Sequence, residues 1–170
     1  MPSQTYSIWA CPTATDRARF QAVIQALCDQ QNVPPFGPHM TLGGLSQRDT
    51  DLGAGVTALS GLTLIPTDIV ETPAFTQSLF VRFARSETLL KGRKALQNLP
   101  SFRAGRAFDP HISLCYGRPE NRAALSAEIE ALLSKPVRFD RLAVVRIKLP
   151  VERHDDLQAW QVVSELQIPA

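Results

Sequence analysis

The alternation of apolar and polar residues divides the chain into short strands and amphipathic helices. Apolar runs bounded by proline or glycine predict strands over residues 6–10, 62–70, 78–83, 108–114, 139–149 and 160–168. The block 36–42 predicts one more strand, which starts after Pro38 and is ended by Gly43 and Gly44. Helical spacing of apolar residues predicts helices over residues 17–31, 86–99 and 119–133. Residues 46–58 are polar and predict either a loop or a weak helix, and Pro66 predicts an edge or a bulge in its strand. No change of composition marks a second domain, so we expect a single domain over residues 1–170.

One seven-residue pattern occurs twice. Residues 36–42 and 108–114 both read Phe-x-Pro-His-x-Thr/Ser-Leu, and a predicted strand and helix precede each copy in the same order. A single His-x-Thr is a weak signal, but a duplicated pattern in the same context indicates a structural repeat. We therefore expect two similar lobes, related by a pseudo-two-fold axis, with one histidine from each lobe in a cleft between them.

The spacing within the repeat predicts which side chains share a face. Residues i and i+2 of a strand point the same way, so His39 lies beside Thr41 and His111 beside Ser113. The intervening residues point away and can pack into the core: Met40, Leu42, Ile112 and Leu114.

Two imidazoles with two hydroxyls suit the hydrolysis of a phosphodiester. One histidine can take a proton from water and the other can protonate the leaving oxygen, since imidazole titrates near neutral pH. The hydroxyls can donate hydrogen bonds to the phosphate oxygens as charge develops on them. His39, His111, Thr41 and Ser113 are therefore the predicted catalytic residues, and neither a metal nor a cofactor is required.

At these residues the sequence resembles the two-histidine (2H) phosphoesterase superfamily, which is marked by two His-x-Thr/Ser motifs, and within it the cyclic phosphodiesterase branch. The resemblance implies an α+β fold with two pseudo-symmetric lobes, each an antiparallel sheet with outer helices, facing across a central cleft. It implies hydrolysis of ADP-ribose 1″,2″-cyclic phosphate, nucleoside 2′,3′-cyclic phosphates, or both, to 1″- or 2′-phosphates. By analogy His111 activates water and His39 protonates the leaving oxygen, but the pseudo-symmetry leaves the opposite assignment open.

The resemblance also suggests residues that bind the substrate. Trp9 matches an aromatic residue on the first strand, Tyr116 one shortly after the second motif, and Phe80 (or Phe83) one on the strand between the motifs; such rings can stack on a nucleobase. Tyr116 lies five residues after His111, so strict alternation would turn it away from the site unless a bulge or a strand end redirects it. Two basic residues before the second motif, Arg103 and Arg106, could contact a substrate phosphate.

Composition limits the partners. The formal net charge is +2, without the strong basic excess of a protein that binds duplex nucleic acid, so duplex nucleic acid is not expected as a partner. Composition permits a small anionic ligand without arguing for one, and the resemblance implies a small cyclic phosphate nucleotide as the substrate. Three cysteines make no disulfide framework, and the sequence shows neither a secretory signal nor a membrane-spanning stretch. We expect a cytoplasmic monomer.

Three other functions stay open. A zinc hydrolase could gather His39, His111 and His154, although no metal-binding pair such as His-x-His is present, and the polar surroundings of His154 predict a surface position. A second alternative is an RNA-end phosphodiesterase or a protein similar to 2′–5′ RNA ligases. The third is a nucleotide-binding module without catalytic activity.

Overall fold

A computed structural model describes residues 4–49 and 51–170. Its strands are β1 (Gln4–Pro12), β2 (Met40–Leu45), β3 (Thr63–Leu64), β4 (Pro66–Glu71), β5 (Leu79–Phe83), β6 (Phe102–Arg103), β7 (His111–Cys115), β8 (Val137–Lys148) and β9 (Gln161–Gln167). Its α-helices are α1 (Ala14–Gln31), α2 (Gly53–Ala58), α3 (Glu87–Gln97), α4 (Ser126–Ala131) and α5 (His154–Gln158), and a 3-10 helix covers Arg122–Leu125. The chain is therefore α+β, as expected.

Two antiparallel sheets form the two lobes. The larger sheet has the order β3-β8-β1-β2-β6, with β9 also paired to β8, and the smaller has the order β4-β5-β7. The internal repeat is visible in the strand order, since β8-β1-β2 in one lobe corresponds to β4-β5-β7 in the other. In each lobe a helix follows the central strand and leads to the strand that carries the histidine motif. The two motif strands, β2 and β7, contact each other, which brings the two lobes together at the motifs.

The long helices cover the outer faces of the sheets. Helix α1 packs against β7, and Phe20 of α1 lies 6.4 Å from Phe83 of β5 between ring centroids. Helix α3 is capped by Ser86, whose hydroxyl accepts a hydrogen bond from the Leu89 amide. The Arg93 side chain of α3 donates to the Leu42 carbonyl of β2, which ties this helix to the larger sheet.

Several predicted boundaries are wrong. The strand predicted to start after Pro38 begins one residue later, at Met40. It continues through Gly43 and Gly44, which were expected to end it, because both pair with β1. A Cβ on Gly43 would lie 2.5 Å from the Phe102 ring, so this strand needs glycine where β6 approaches.

The remaining differences concern proline and short elements. The strand predicted over residues 62–70 is divided at Pro66 into β3 and β4, which belong to different sheets, and the register of β4 shifts after Pro66. The helix predicted over residues 119–133 is shortened to a 3-10 turn and α4. Residues 46–58 contain the short helix α2. Strand β6 and helix α5 were not predicted, since elements of two and five residues are too short to show a period. No helix in the described part of the chain is both long and apolar enough to cross a bilayer.

Candidate active site

Both histidines line one cleft between the lobes. The cleft has a volume of roughly 630 Å³, and its walls include His39, Thr41, His111, Ser113, Trp9 and Tyr116. His39 directly precedes β2 and His111 is the first residue of β7, so the two side chains occupy equivalent places in the two lobes. The core-facing residues of the repeat, Met40, Leu42, Ile112 and Leu114, are fully buried, as strand alternation predicts.

The two imidazole rings are oriented by the same backbone contact. Nδ1 of His39 lies 2.8 Å from the Gly37 carbonyl oxygen, and Nδ1 of His111 lies 2.6 Å from the Asp109 carbonyl oxygen. A carbonyl oxygen only accepts hydrogen bonds, so each Nδ1 carries the proton and donates. In the described residues no other atom bonds either Nε2, which leaves these two nitrogens available to a ligand.

The prolines of the repeat explain this contact. A residue before proline is held in an extended conformation. In Gly37-Pro38-His39 and Asp109-Pro110-His111 the carbonyl of the residue before proline is the one that meets the imidazole two residues later. The Phe-x-Pro-His part of the repeat therefore sets the histidine tautomer, a role that was not assigned from the sequence.

His39 is held in the neutral form. Burial lowers its pKa from the ordinary 6.5 to about 4; the Gly37 hydrogen bond raises it somewhat, and the nearby His111 lowers it further. The side chain is only 7 % exposed because aromatic rings enclose it. Trp9 stacks on it, with ring centroids 3.6 Å apart and planes 15° apart, and Trp160 meets its edge at 5.5 Å. His39 is thus neutral at pH 7, with Nε2 unprotonated.

The two hydroxyls differ in exposure. Thr41 is exposed on the cleft wall, whereas Ser113 is 6 % exposed and hydrogen-bonds the Tyr116 hydroxyl. Burial raises the pKa of Tyr116 to about 12, and the Ser113 contact lowers it only partly, so the phenol stays protonated. Tyr116 can therefore donate its proton to Ser113 and leave the Ser113 hydroxyl free to donate to a ligand.

The backbone redirects Tyr116 into the cleft. Leu79 pairs with Cys115 and Phe80 with Ser113, so one residue of β7 is extra, and the strand ends at Cys115. The next residue after Tyr116, Gly117, has φ of 70°, which glycine adopts without strain. This combination of a bulge and a strand end resolves the conflict between Tyr116 and simple alternation.

The structure places Phe80 differently from the expectation. Its ring is 2 % exposed and packs against His111 with centroids 4.8 Å apart, so it supports the histidine and has no free face for a base. Phe83, the alternative, is buried against Phe20 and Phe139 in the core. Phe80 and Phe83 are therefore both corrected from stacking residues to packing residues, because His111 covers the ring of Phe80 while Phe20 and Phe139 cover that of Phe83.

The predicted basic residues lie at one end of the cleft. Arg106 lines the cleft itself, and both Arg103 and Arg106 line an adjoining pocket that also contacts His111. Both residues are exposed on β6 and the loop after it. Their position permits contact with a ligand phosphate.

Sequence reasoning missed Trp160 and misplaced His154. Trp160 lines the cleft beside Trp9, with the two ring centroids 5.1 Å apart. Its buried indole Nε1 has no hydrogen-bond partner among the described residues. His154 was expected at the surface, yet it is half-buried, and its Nε2 lies 2.9 Å from the Tyr116 carbonyl oxygen. This contact joins α5 to the end of β7 and so holds the segment with Trp160 against the cleft.

No metal cluster supports the zinc alternative. Within residues 4–49 and 51–170, no group of three or more histidine, cysteine, aspartate or glutamate side chains is placed to hold an ion. The third histidine of that hypothesis, His154, is engaged by the backbone of Tyr116.

Comparison with known proteins gives matches only among solved structures. Neither a protein-family model nor a curated protein matches this sequence. Escherichia coli LigT in apo form is 15 % identical over 100 % of both chains with a TM-score of 0.56. Its complex with 3′-AMP is 14 % identical over 99 % of both chains with a TM-score of 0.55. A structure described as a phosphoesterase is 12 % identical over 98 % of this chain and 99 % of that one, with a TM-score of 0.58. This chain has the fold of LigT. The two-lobed fold expected from the 2H resemblance is thereby confirmed.

Proposed function

We propose that this protein belongs to the 2H phosphoesterase superfamily and is a cyclic phosphodiesterase that works without a metal. Its substrates are ADP-ribose 1″,2″-cyclic phosphate, nucleoside 2′,3′-cyclic phosphates, or both. The observation that carries the proposal is the pair of symmetry-related histidines in one cleft. Each has Nδ1 bound to a backbone carbonyl and Nε2 free.

The pKa of His39 suggests how the two histidines divide the work. A group with a pKa of about 4 is protonated in roughly one molecule in a thousand at pH 7, so it is poorly suited to be the acid. We therefore assign His39 as the base that takes a proton from the attacking water, and His111 as the acid that protonates the leaving ribose oxygen. This reverses the assignment made by analogy.

The remaining groups act on the phosphate. As the water oxygen bonds to phosphorus and the bond to the ribose oxygen breaks, one proton passes to His39 and another leaves His111, so no cofactor takes part. Thr41 and Ser113 donate hydrogen bonds to the non-bridging oxygens, where charge builds up. Trp9 and Trp160 form the aromatic wall against which a nucleobase can lie.

The ligands crystallised with a protein of the same fold support a nucleotide ligand here. LigT of E. coli has been crystallised with 3′-AMP, with ATP and with NADP+, at TM-scores of 0.55, 0.53 and 0.53 to this chain. We infer a small nucleotide as the partner of this cleft as well.

Product analysis tests the proposal. The pure protein is incubated with 2′,3′-cyclic AMP and, separately, with ADP-ribose 1″,2″-cyclic phosphate in excess EDTA, and the products are separated by chromatography. A 2′-phosphate or 1″-phosphate product that persists in EDTA supports the reaction, its regiochemistry and its independence of metal. A product lost in EDTA would contradict the metal-free mechanism. No product from either compound would favour an RNA-end substrate or a binding module, and oligonucleotides with modified ends distinguish those two.

A further inference from the structure

The catalytic cleft continues into a second pocket beside His111. This pocket has a volume of about 310 Å³ and shares several walls with the cleft, including Thr41, Gln77, Arg106, His111 and Ile147. We call it the arginine pocket, after Arg93, Arg103 and Arg106, which line it together with the ring of Phe108. A ligand held at the histidines can therefore extend into it without leaving the protein surface.

The arginine pocket carries an uncompensated positive charge. The described residues form no ion pair with Arg93, Arg103 or Arg106. The one carboxylate on its wall, Asp109, is held by two hydrogen bonds from Arg82, at 2.9 and 3.1 Å. That carboxylate is neutralised from outside the pocket, so the arginines that line the pocket keep their charge for a ligand.

The three arginines contribute in different ways. Arg93 is fixed, since it donates to the Leu42 carbonyl and lies 4.3 Å from the centroid of the Phe108 ring, and it supplies charge to the wall. Its pKa is lowered mainly by burial and further by the charge of Arg85. Arg106 makes no hydrogen bond within the described residues, and one guanidinium nitrogen of Arg103 donates to the adjacent Phe102 carbonyl. Both therefore keep guanidinium donors for an anion.

The other end of the cleft has the opposite character. Trp9 and Trp160 line the cleft but not the arginine pocket, and Trp9 stacks on His39, so this end suits a base. The histidines lie between an aromatic end and a basic end. A ribose can present its cyclic phosphate, its base and its 5′ position in three different directions, which matches these three parts of the cleft.

We propose that the arginine pocket binds a second, uncleaved phosphate of the substrate. The preferred substrates are then cyclic phosphate nucleotides that carry a further phosphate or pyrophosphate on the same sugar, rather than simple nucleoside cyclic phosphates. This inference rests on the proposed function and deepens it. Its basis is the continuous cavity and the arginines without carboxylate partners.

A pair of matched substrates tests the inference. Rates are compared for adenosine 2′,3′-cyclic phosphate and for the same compound with a 5′-phosphate, and the ratio of the two kcat/KM values is the readout. We expect the 5′-phosphate to raise kcat/KM about tenfold, the gain of one charge-assisted hydrogen bond in a solvated pocket. The Arg103→Gln/Arg106→Gln double variant should bring the ratio close to one. Arg138→Gln removes the same kind of charge from an exposed site that lines neither pocket, and it should keep the wild-type ratio.

A binding measurement separates this inference from the proposed function. Calorimetric titration with adenosine 2′,5′-bisphosphate and with adenosine 2′-phosphate reports on the pocket even if neither cyclic compound is turned over. If the wild type binds the bisphosphate more tightly than the monophosphate and the double variant does not, the pocket is supported even without turnover. Turnover of both cyclic compounds with a ratio near one in the wild type would overturn the inference and leave the proposed function standing. A ratio above one that the double variant retains would also overturn the inference. Equal affinities of the wild type for the two adenosine phosphates would do the same.

Discussion

Burial of His39 makes the stability of the fold depend on pH, and this dependence can be measured without a substrate. The pKa of His39 is about 4 in the folded protein and close to 6.5 in the unfolded chain. Between these values the unfolded chain binds a proton that the folded protein does not. The free energy of unfolding therefore has the full His39 contribution above pH 6.5 and loses it as the pH falls towards 4.

The size of the effect follows from the two pKa values. Between pH 7 and pH 5 the unfolded state gains about 2 kcal/mol from protonation of this histidine, whereas the folded state gains almost nothing. That difference is a sizeable share of the ~5–15 kcal/mol by which domains are normally stable.

The assay is urea unfolding of the wild type and of His39→Gln at pH 7 and at pH 5. Glutamine keeps a polar side chain near the Gly37 carbonyl but cannot be protonated, and the carboxylates are common to both proteins. The wild type should lose about 2 kcal/mol more than the variant between the two pH values. His111→Gln is the control, because it removes an imidazole bound to the same kind of backbone carbonyl. This variant should still lose the stability that depends on His39 between pH 7 and pH 5. Equal losses in the wild type and in His39→Gln would refute the argument from burial.

Four other outcomes are expected. Alanine at His39 or His111 should lower kcat by at least about 10³-fold with an unchanged circular dichroism spectrum, and near-normal turnover by either variant would exclude the two-histidine mechanism. The acid limb of the kcat/KM profile should lie near pH 4, set by His39, and a loss of activity on raising the pH through 4 would make His39 the acid instead. Thr41→Ala and Ser113→Ala should each lower kcat by roughly 10²-fold in steady-state assays; unchanged kcat in both would show that the hydroxyls are structural. His154→Phe should speed amide hydrogen exchange over residues 149–160, since it removes the contact with the Tyr116 carbonyl, and unchanged exchange would show that other contacts hold this segment.

Much of the site could be predicted from the sequence because its signals are local. The duplicated Phe-x-Pro-His-x-Thr/Ser-Leu pattern identified both motif strands, and a period of two residues separated the cleft-facing His39 and Thr41 from the buried Met40 and Leu42. The order of strand and helix before each copy was enough to predict two equivalent lobes, which the strand orders β8-β1-β2 and β4-β5-β7 confirm.

Other features depend on residues far apart in the chain, and only the tertiary structure decides them. Burial lowers the pKa of His39, and the rings that pack on it are Trp9 of β1 and Trp160 of the segment before β9, so no local pattern reports that burial. The sequence alone does not show whether the ring of Phe80 is free to stack on a ligand; in the folded sheet it packs against His111. Sequence periodicity determines the direction of a side chain from its own strand, whereas its exposure and protonation depend on which other strands and helices pack against it.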